Sequence, residues 1–257
     1  MRVGLSLNEP DAGLQAVAAE EYGLFGVLVQ SAKPGAEMVI AGEVSSLTSI
    51  VRVIVRIPLG HEHPVTMAEE IAVLDNLAEG RIVALLDTGG LSVQEAAEDV
   101  QLMRHCWASR PVRHRGERWR VPAEIEGHNA PDRVMVTPKP AQLDVPVWLT
   151  GDAASQIAEE AGLPAMAQRP EDASADTLVQ PGLASMKGDM EADRELVTRW
   201  AEAGTTHLIL TPPDGADVRE ELGTIARYLA PEVAMPEYPR VISETMSPAA
   251  WSGPLDG

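Results

Sequence analysis

The chain has 257 residues, of which 45% are hydrophobic and 23% are charged, and its formal net charge is −19 at pH 7. This composition is typical of a soluble globular protein, and the length allows either two small domains or one large α/β barrel. The excess of acidic residues argues against nucleic acid and against anionic membrane surfaces as partners, because both attract clusters of lysine and arginine.

The cellular compartment is indicated by the single cysteine, Cys106, which has no second cysteine in the chain with which to form a disulfide. A lone thiol fits a reducing cytoplasm. The N-terminal residues lack the apolar stretch of a signal peptide, and no run approaches the roughly 18 apolar residues of a membrane span. We therefore expect a cytoplasmic protein without a membrane segment.

Short apolar runs alternate with helical patterns over the first 107 residues. The patterns predict strands at 3–7, 26–29, 51–57 and 82–86, each followed by a helix, at 12–22, 36–47, 66–77 and 93–107. A polar, arginine-rich stretch without a sustained period then predicts a long excursion over 109–143, with short strands near 117–121 and 134–137.

The alternation resumes after the excursion. The patterns predict a strand at 145–149, a helix at 153–161, two short strands at 165–168 and 177–179, a helix at 191–203, a strand at 207–210 and a helix at 218–229. About eight strands with intervening helices favour parallel pairing and a TIM-type (β/α)8 barrel, formed as a single domain by residues 1–232. A proline-rich tail follows at 233–257. An open doubly wound sheet is the alternative, but no G-x-G-x-x-G follows the first strand.

The stretch HEHPVTMAEEIAVLDNLAEGR, at 61–81, has the punctuation of a strand-helix-strand unit. Pro64 fits the first turn of a helix, and Gly80 fits the position just past its end. His61 and His63 follow the third strand, at the carboxyl end where barrel enzymes place their active sites. We therefore predict that one of them lines the pocket, and both are candidate catalytic residues. No H-E-x-x-H motif and no third ligand accompany them, so no metal site is predicted.

The same stretch resembles the signature of the bacterial luciferase-like flavin monooxygenase family. The pairs His63-Pro64, Ala68-Glu69, Leu74-Asp75 and Gly80-Arg81 match in order. Three further segments resemble this family: RHRGERWRVP at 113–122, TPKPAQLDVPVWLTG at 137–151 and AEAGTTHLIL at 201–210. The resemblance extends from residue 1 to about residue 232.

The resemblance implies a TIM-type barrel that binds reduced FMN, or the deazaflavin F420, at the carboxyl end of its strands. It favours a monooxygenase that uses reduced FMN from a flavin reductase and acts on a small organic or secondary-metabolite substrate. It also implies a homodimer, or a heterodimer with a related barrel. The family's phosphate site is built by the turn after the fifth strand and the end of the fourth, which here corresponds to Gly151, Asp152, Ser155, Thr88 and Gly89.

Several residues depart from the family's pattern. Asp152 places a carboxylate where members more often have serine, and it would repel a phosphate at close range. Leu85 and Asp87 replace glycines, and Leu85 would take space that a flavin ring needs. Gln30 and Ser31 cannot transfer protons at neutral pH. These departures leave two alternatives open: a non-catalytic or ligand-binding partner subunit with the same barrel, and an F420-dependent hydride-transfer enzyme.

A cluster of basic residues stands out in this acidic chain and could bind an anionic substrate or form salt bridges with nearby acids. It consists of Arg104, His105, Arg110, Arg113, His114, Arg115, Arg118 and Arg120.

Overall fold

Seven parallel strands form one curled sheet in the computed structural model, which describes residues 1–7, 11–33, 35–123, 131–173, 177–213 and 215–229. The sheet strands are β1 (Arg2–Ser6), β2 (Gly26–Val29), β3 (Arg52–Pro58), β4 (Ile82–Asp87), β7 (Val147–Thr150), β8 (Pro181–Ser185) and β9 (His207–Thr211). Their order across the sheet is β7-β4-β3-β2-β1-β9-β8, and every neighbouring pair is parallel. Two further strands, β5 (His114–Arg115) and β6 (Arg120–Val121), form a separate hairpin.

Helices follow most of these strands and return the chain over the outside of the sheet. They are α1 (Ala12–Glu21), α2 (Ala36–Leu47), α3 (Pro64–Leu77), α4 (Val93–Trp107), α5 (Ala154–Ala161), α6 (Met190–Glu202) and α7 (Val218–Thr224). A π-helical turn, Ile225–Leu229, extends α7, so the predicted helix at 218–229 is two segments of different winding. The predicted tail, 233–257, lies outside the described residues. Among the described residues, no helix combines the length and apolarity needed to span a bilayer.

The two edges of the sheet, β7 and β8, both bond to the short segment 164–167. Leu149 bridges Ala165 and Ala167 bridges Gly182, both in parallel. The amide of Met166 donates to the carbonyl of Leu149 at 2.8 Å, and the amide of Ala167 donates to the carbonyl of Pro181 at 2.9 Å. The predicted strand at 165–168 is therefore present as this short segment.

The chain departs from the predicted alternation between this segment and β8. A single 3-10 turn, Pro170–Asp172, stands where other strands are followed by a helix, and residues 174–176 are not described. The strand predicted at 177–179 is wrong, because the strand begins at Pro181. Its apolar pattern misled because Leu178 is 99% exposed and packs against nothing.

Side chains alternate between two core layers across the sheet, as period-2 geometry requires. The outer layer packs the sheet against the helices and includes Val53, Val55 and Ile57. The inner layer is smaller and consists of Leu28, Ile54, Val83, Leu85, Trp148, Met166 and Ile209. Because both faces are covered, the strands carry nearly continuous apolar runs rather than a polar alternation.

The pairs that carry the family resemblance are structural in this fold. The guanidinium of Arg81 is buried and donates to the carbonyls of Ser45, Thr48 and Val51 and to the hydroxyl of Thr48, which ties the end of α2 to the start of β4. The carboxylate of Asp75 accepts from the backbone of Ile82 and from Gln142. These bonds satisfy backbone groups that the helix and strand ends leave unpaired.

The described part of the excursion forms a small hairpin, β5 (His114–Arg115) with β6 (Arg120–Val121), that docks on α4. The carboxylate of Glu98 accepts hydrogen bonds from the amides of Glu117, Arg118 and Trp119 and contacts His114 Nε2 at 3.0 Å. The strand predicted at 117–121 is thus shorter than expected. The second predicted strand, at 134–137, is reduced to one bridge between Val134 and Val112.

We expect Gly182→Ala to lower the free energy of unfolding by about 1–3 kcal/mol, the usual cost of overpacking a core. A Cβ at this position would lie 2.6 Å from Cζ3 of the buried Trp200 on α6. Gly42→Ala on α2 is the matched control, because its Cβ would meet its nearest neighbour at 3.9 Å. The control should raise stability by about 0.5–1 kcal/mol, since alanine favours a helix interior over glycine. Urea unfolding measures both, and a Gly182→Ala variant as stable as the parent would contradict the packing of α6 on β8.

Candidate functional site

A cavity of about 570 Å³ opens at the carboxyl ends of β2, β3, β4 and β7. Its volume lies within the roughly 300–1,000 Å³ typical of small-molecule sites. Leu28, Leu85, Met166 and Leu183 supply apolar lining. Leu85 is 1% exposed and packs in the inner core layer, so it forms part of the floor and leaves the cavity open above it.

One wall of the cavity is the turn that leads from β7 into α5. Gly151 has φ of 96°, which favours glycine, and a Cβ there would lie 2.7 Å from both Asp87 Oδ1 and Thr88 Oγ1. The Thr88 hydroxyl donates to the Thr150 carbonyl at 3.1 Å and accepts from the Ala153 amide at 3.2 Å. The ends of β4 and β7 therefore approach so closely that this position requires glycine for packing alone.

The residues predicted to bind the cofactor phosphate come together around this turn. Gly151, Asp152 and Ser155 line the cavity. Thr88 is 1% exposed and its hydroxyl is engaged in the turn, while the amide of Gly89 donates to Asp87 Oδ1 at 3.0 Å. Within the described residues, three of the five thus line the cavity, while Thr88 is buried in the turn and Gly89 is exposed beside Asp87.

The start of α5 has the features of an anion site. Ala153 stands at the N-cap position and makes no side-chain capping bond. The amides of Ala153 and Ala154 donate to Thr88 Oγ1 and to the carbonyl of Gly151, so the donors at the helix start are the amides of the next two residues, Ser155 and Gln156. Uncapped N–H groups at a helix N-terminus attract anions, and the Ser155 hydroxyl adds a donor. The Asp152 carboxylate at the same wall opposes an anion. The cavity thus combines an apolar floor with donors for an anionic group at the start of α5, and the Asp152 carboxylate lies beside those donors.

A chain of polar side chains crosses the mouth of the cavity, and sequence reasoning missed its central member, Arg56. Nε and Nη2 of Arg56 donate to Asp87 Oδ2 at 3.0 and 2.7 Å, and Nη1 donates to Gln30 Oε1 at 3.2 Å. Gln30 Nε2 in turn donates to Ser6 Oγ at 3.1 Å. The available signal was a single charge within the apolar run 53–57, two residues beyond the inward-facing Ile54.

The two histidines predicted to be catalytic lie apart from this cavity. His63 is the N-cap of α3, where Nδ1 accepts from the amide of Val65, and its ring meets that of Trp119 edge-on at 4.3 Å. Burial lowers the pKa of His63, and the nearby Asp99 partly offsets this effect. His61 is exposed in the loop after β3. Neither histidine is among the described residues that line the cavity, and no cluster of three metal-binding side chains occurs in the described part of the chain.

A larger groove, of about 1,180 Å³, lies outside the sheet between α4, the hairpin and α5. Arg104, Arg110, Arg115 and Arg118 line it, but Glu95, Glu98, Glu117, Asp144 and Glu160 line it as well. Arg118 also pairs with Asp99 at 3.2 Å. The basic feature of the sequence is thus balanced by acids, and the carboxyl-end cavity is the better candidate site.

Comparison with known proteins supports the family resemblance seen in the sequence. A family model described as luciferase-like monooxygenase matches residues 10–180. Uncharacterised proteins of Mycobacterium bovis and Mycobacterium tuberculosis are 24% identical over 211 residues, which cover 67% of this chain and 68% of each relative.

Solved structures show the same fold at low sequence identity. The coenzyme F420 dependent tetrahydromethanopterin reductase of Methanopyrus kandleri superposes with a TM-score of 0.73 at 13% identity, over 90% of this chain and 99% of that one. The oxygenating constituent of 3,6-diketocamphane monooxygenase of Pseudomonas putida, solved in complex with FMN, gives 0.61 at 14% identity, over 92% and 99%. With the family model matching about two thirds of its length, the chain belongs to the luciferase-like monooxygenase family.

Proposed function

We propose that the protein is a monooxygenase that binds reduced FMN in the carboxyl-end cavity and oxygenates a small organic or secondary-metabolite substrate. The observation that carries this proposal is the cavity itself, with its apolar floor beside the uncapped start of α5. In this proposal the segment 164–167 closes the sheet into a (β/α)8 barrel, formed by residues 1–232 and followed by the tail at 233–257. The bonds of this segment to β7 and β8 support closure.

The cavity residues would divide the work of holding the cofactor. Leu28, Leu85 and Met166 would support the ring, and the backbone at Gly151 with the hydroxyl of Ser155 would hold the phosphate. Bound reduced flavin supplies the electrons that activate oxygen, while the protein orients it and excludes water. Because Asp152 weakens the phosphate site, we expect modest affinity, which suits a flavin delivered by a separate reductase.

Two alternatives have specific support. The solved structures of similar fold include an F420-dependent reductase as well as an FMN-bound oxygenase, so F420 is the alternative cofactor. The absence of a histidine among the described cavity residues, together with Asp152, favours a non-catalytic partner subunit.

Exposed apolar side chains on α2 and α3, among them Val39, Leu47, Val73 and Leu77, support the predicted dimer with a second barrel.

Titration of the purified protein with FMN, reduced FMN and F420, followed by absorbance, separates these readings. The proposal predicts saturable binding of reduced FMN. Saturable binding of F420 alone would replace the proposal with the hydride-transfer alternative. Binding of none of the three would favour the partner subunit.

Asp152→Asn should increase the affinity for FMN, because it removes a carboxylate from the phosphate site while keeping the side-chain shape. Ser155→Ala should lower FMN affinity by about tenfold, the typical effect of losing a hydrogen bond to a charged group. Riboflavin, which lacks the phosphate, is the internal control, and its affinity should change little in either variant. Equal effects on FMN and riboflavin would place the phosphate elsewhere.

The catalytic roles predicted for His61 and His63 have a matched pair of variants. His63→Ala should lower the free energy of unfolding by about 1–2 kcal/mol, because it removes an N-cap and a ring contact with Trp119. His61→Ala should change it by less than about 0.5 kcal/mol, as expected for an exposed side chain. The rate at which oxygen reoxidises protein-bound reduced FMN measures catalysis separately from stability. An unchanged rate in both variants would contradict a catalytic role for either histidine.

A further inference from the structure

The Arg56 side chain is the only arginine or lysine among the described residues that line the 570 Å³ cavity. It projects from the inner face of β3, in register with Leu85 of β4, and 43% of its side chain is exposed. Every other residue of the run 53–57 is apolar and buried. It therefore interrupts the apolar inner face of β3 at the cavity, where its guanidinium pairs with Asp87.

The guanidinium is held in one orientation but keeps donors to spare. Three hydrogen bonds, two to Asp87 and one to Gln30, fix its plane. Both partners are anchored in turn, Asp87 by the amide of Gly89 and Gln30 by its bond to Ser6. A guanidinium has five N–H donors, so two remain for a ligand. A donor fixed in advance in this way loses less entropy when a ligand binds.

Arg56 also lies between two cavities. A second cavity, of about 810 Å³, lies on its other side, and Leu7, Lys33, Pro58 and Asp87 are among the residues that line it. Arg56 and Gln30 line both cavities. A ligand in the second cavity would therefore meet the guanidinium beside whatever occupies the first. Lys33 adds a second positive charge to the second cavity, where Asp87 is paired with Arg56 and Glu37 accepts from the amide of Gly35.

We propose that Arg56 binds an anionic group of the substrate, a carboxylate, at the boundary between the two cavities, and that Asp87 and Gln30 position its guanidinium for this contact. The inference rests on the proposed function in taking the first cavity as the cofactor site. The flavin phosphate is the other source of anionic oxygens. The Asp87 carboxylate joins the two places, since its Oδ2 accepts from Arg56 and its Oδ1 lies against Gly151, so the comparison of FMN with riboflavin below separates the two sources. The substrate class we propose is a carboxylic acid with an apolar body.

Calorimetric titration of the full chain with benzoate and with benzamide tests the charge requirement, because the two probes share their shape. The wild type should bind benzoate at millimolar concentrations and bind benzamide at least tenfold more weakly. Arg56→Gln should abolish this preference and lower benzoate affinity tenfold or more. Asp87→Asn should retain the preference, because Arg56 keeps its charge. Arg113→Gln, which removes an arginine of similar exposure from an ion pair with Asp132, should leave both affinities unchanged.

Three outcomes would overturn the inference. They are wild-type protein that binds neither probe or binds both alike, an Arg56→Gln variant that keeps its benzoate affinity, and an Arg56→Gln variant that loses affinity for FMN but not for riboflavin. The last would assign Arg56 to the phosphate.

A purely structural clasp between β3 and β4 predicts that Arg56→Gln and Asp87→Asn lower the melting temperature alike without changing the benzoate preference. If no flavin binds while the Arg56-dependent preference for benzoate holds, the proposed function fails and the carboxylate site stands.

Discussion

Parallel pairing of the strands is the constraint on which the rest of this structure depends. Because every neighbouring pair in the sheet is parallel, the carboxyl ends of all strands meet at one edge, and each chain segment that leaves a strand does so there. Arg56, Asp87 and Gly151 are distant in sequence, yet they meet at this edge at the ends of three neighbouring strands. The candidate site follows from this geometry.

Two kinds of residue at that edge must be separated. Thr88 and Gly151 are explained by the contact between β4 and β7, since the hydroxyl bonds the turn and a Cβ on the glycine would collide with Asp87. Ser155 and Arg56 are not required by that contact, and both present donors to the cavity. The first pair shapes the turn, and the second pair is available for recognition.

The residues that carry the family resemblance make structural contacts in the described part of the chain. Arg81 and Asp75 bond to backbone groups between helices and strands, and His63 caps α3. These contacts join helix and strand ends, so the residues of the resemblance have structural roles in this fold. Leu85, Asp87 and Asp152, which depart from the expected pattern, lie instead at the carboxyl ends of β4 and β7.

The sequence by itself determined the α/β class, the family and most of the strands and helices, because apolar periodicity and helix caps such as Ser92 act over short distances. It also located the turn at Gly151 through the resemblance. It failed at 177–179, where Thr177 and Leu178 are exposed and Val179 packs partly against the inner core layer, and it did not find Arg56. Only the tertiary structure decided that Arg56 faces a cavity while His63 faces Trp119, because strand register and helix docking set the direction of each side chain. Local patterns do not specify these long-range contacts.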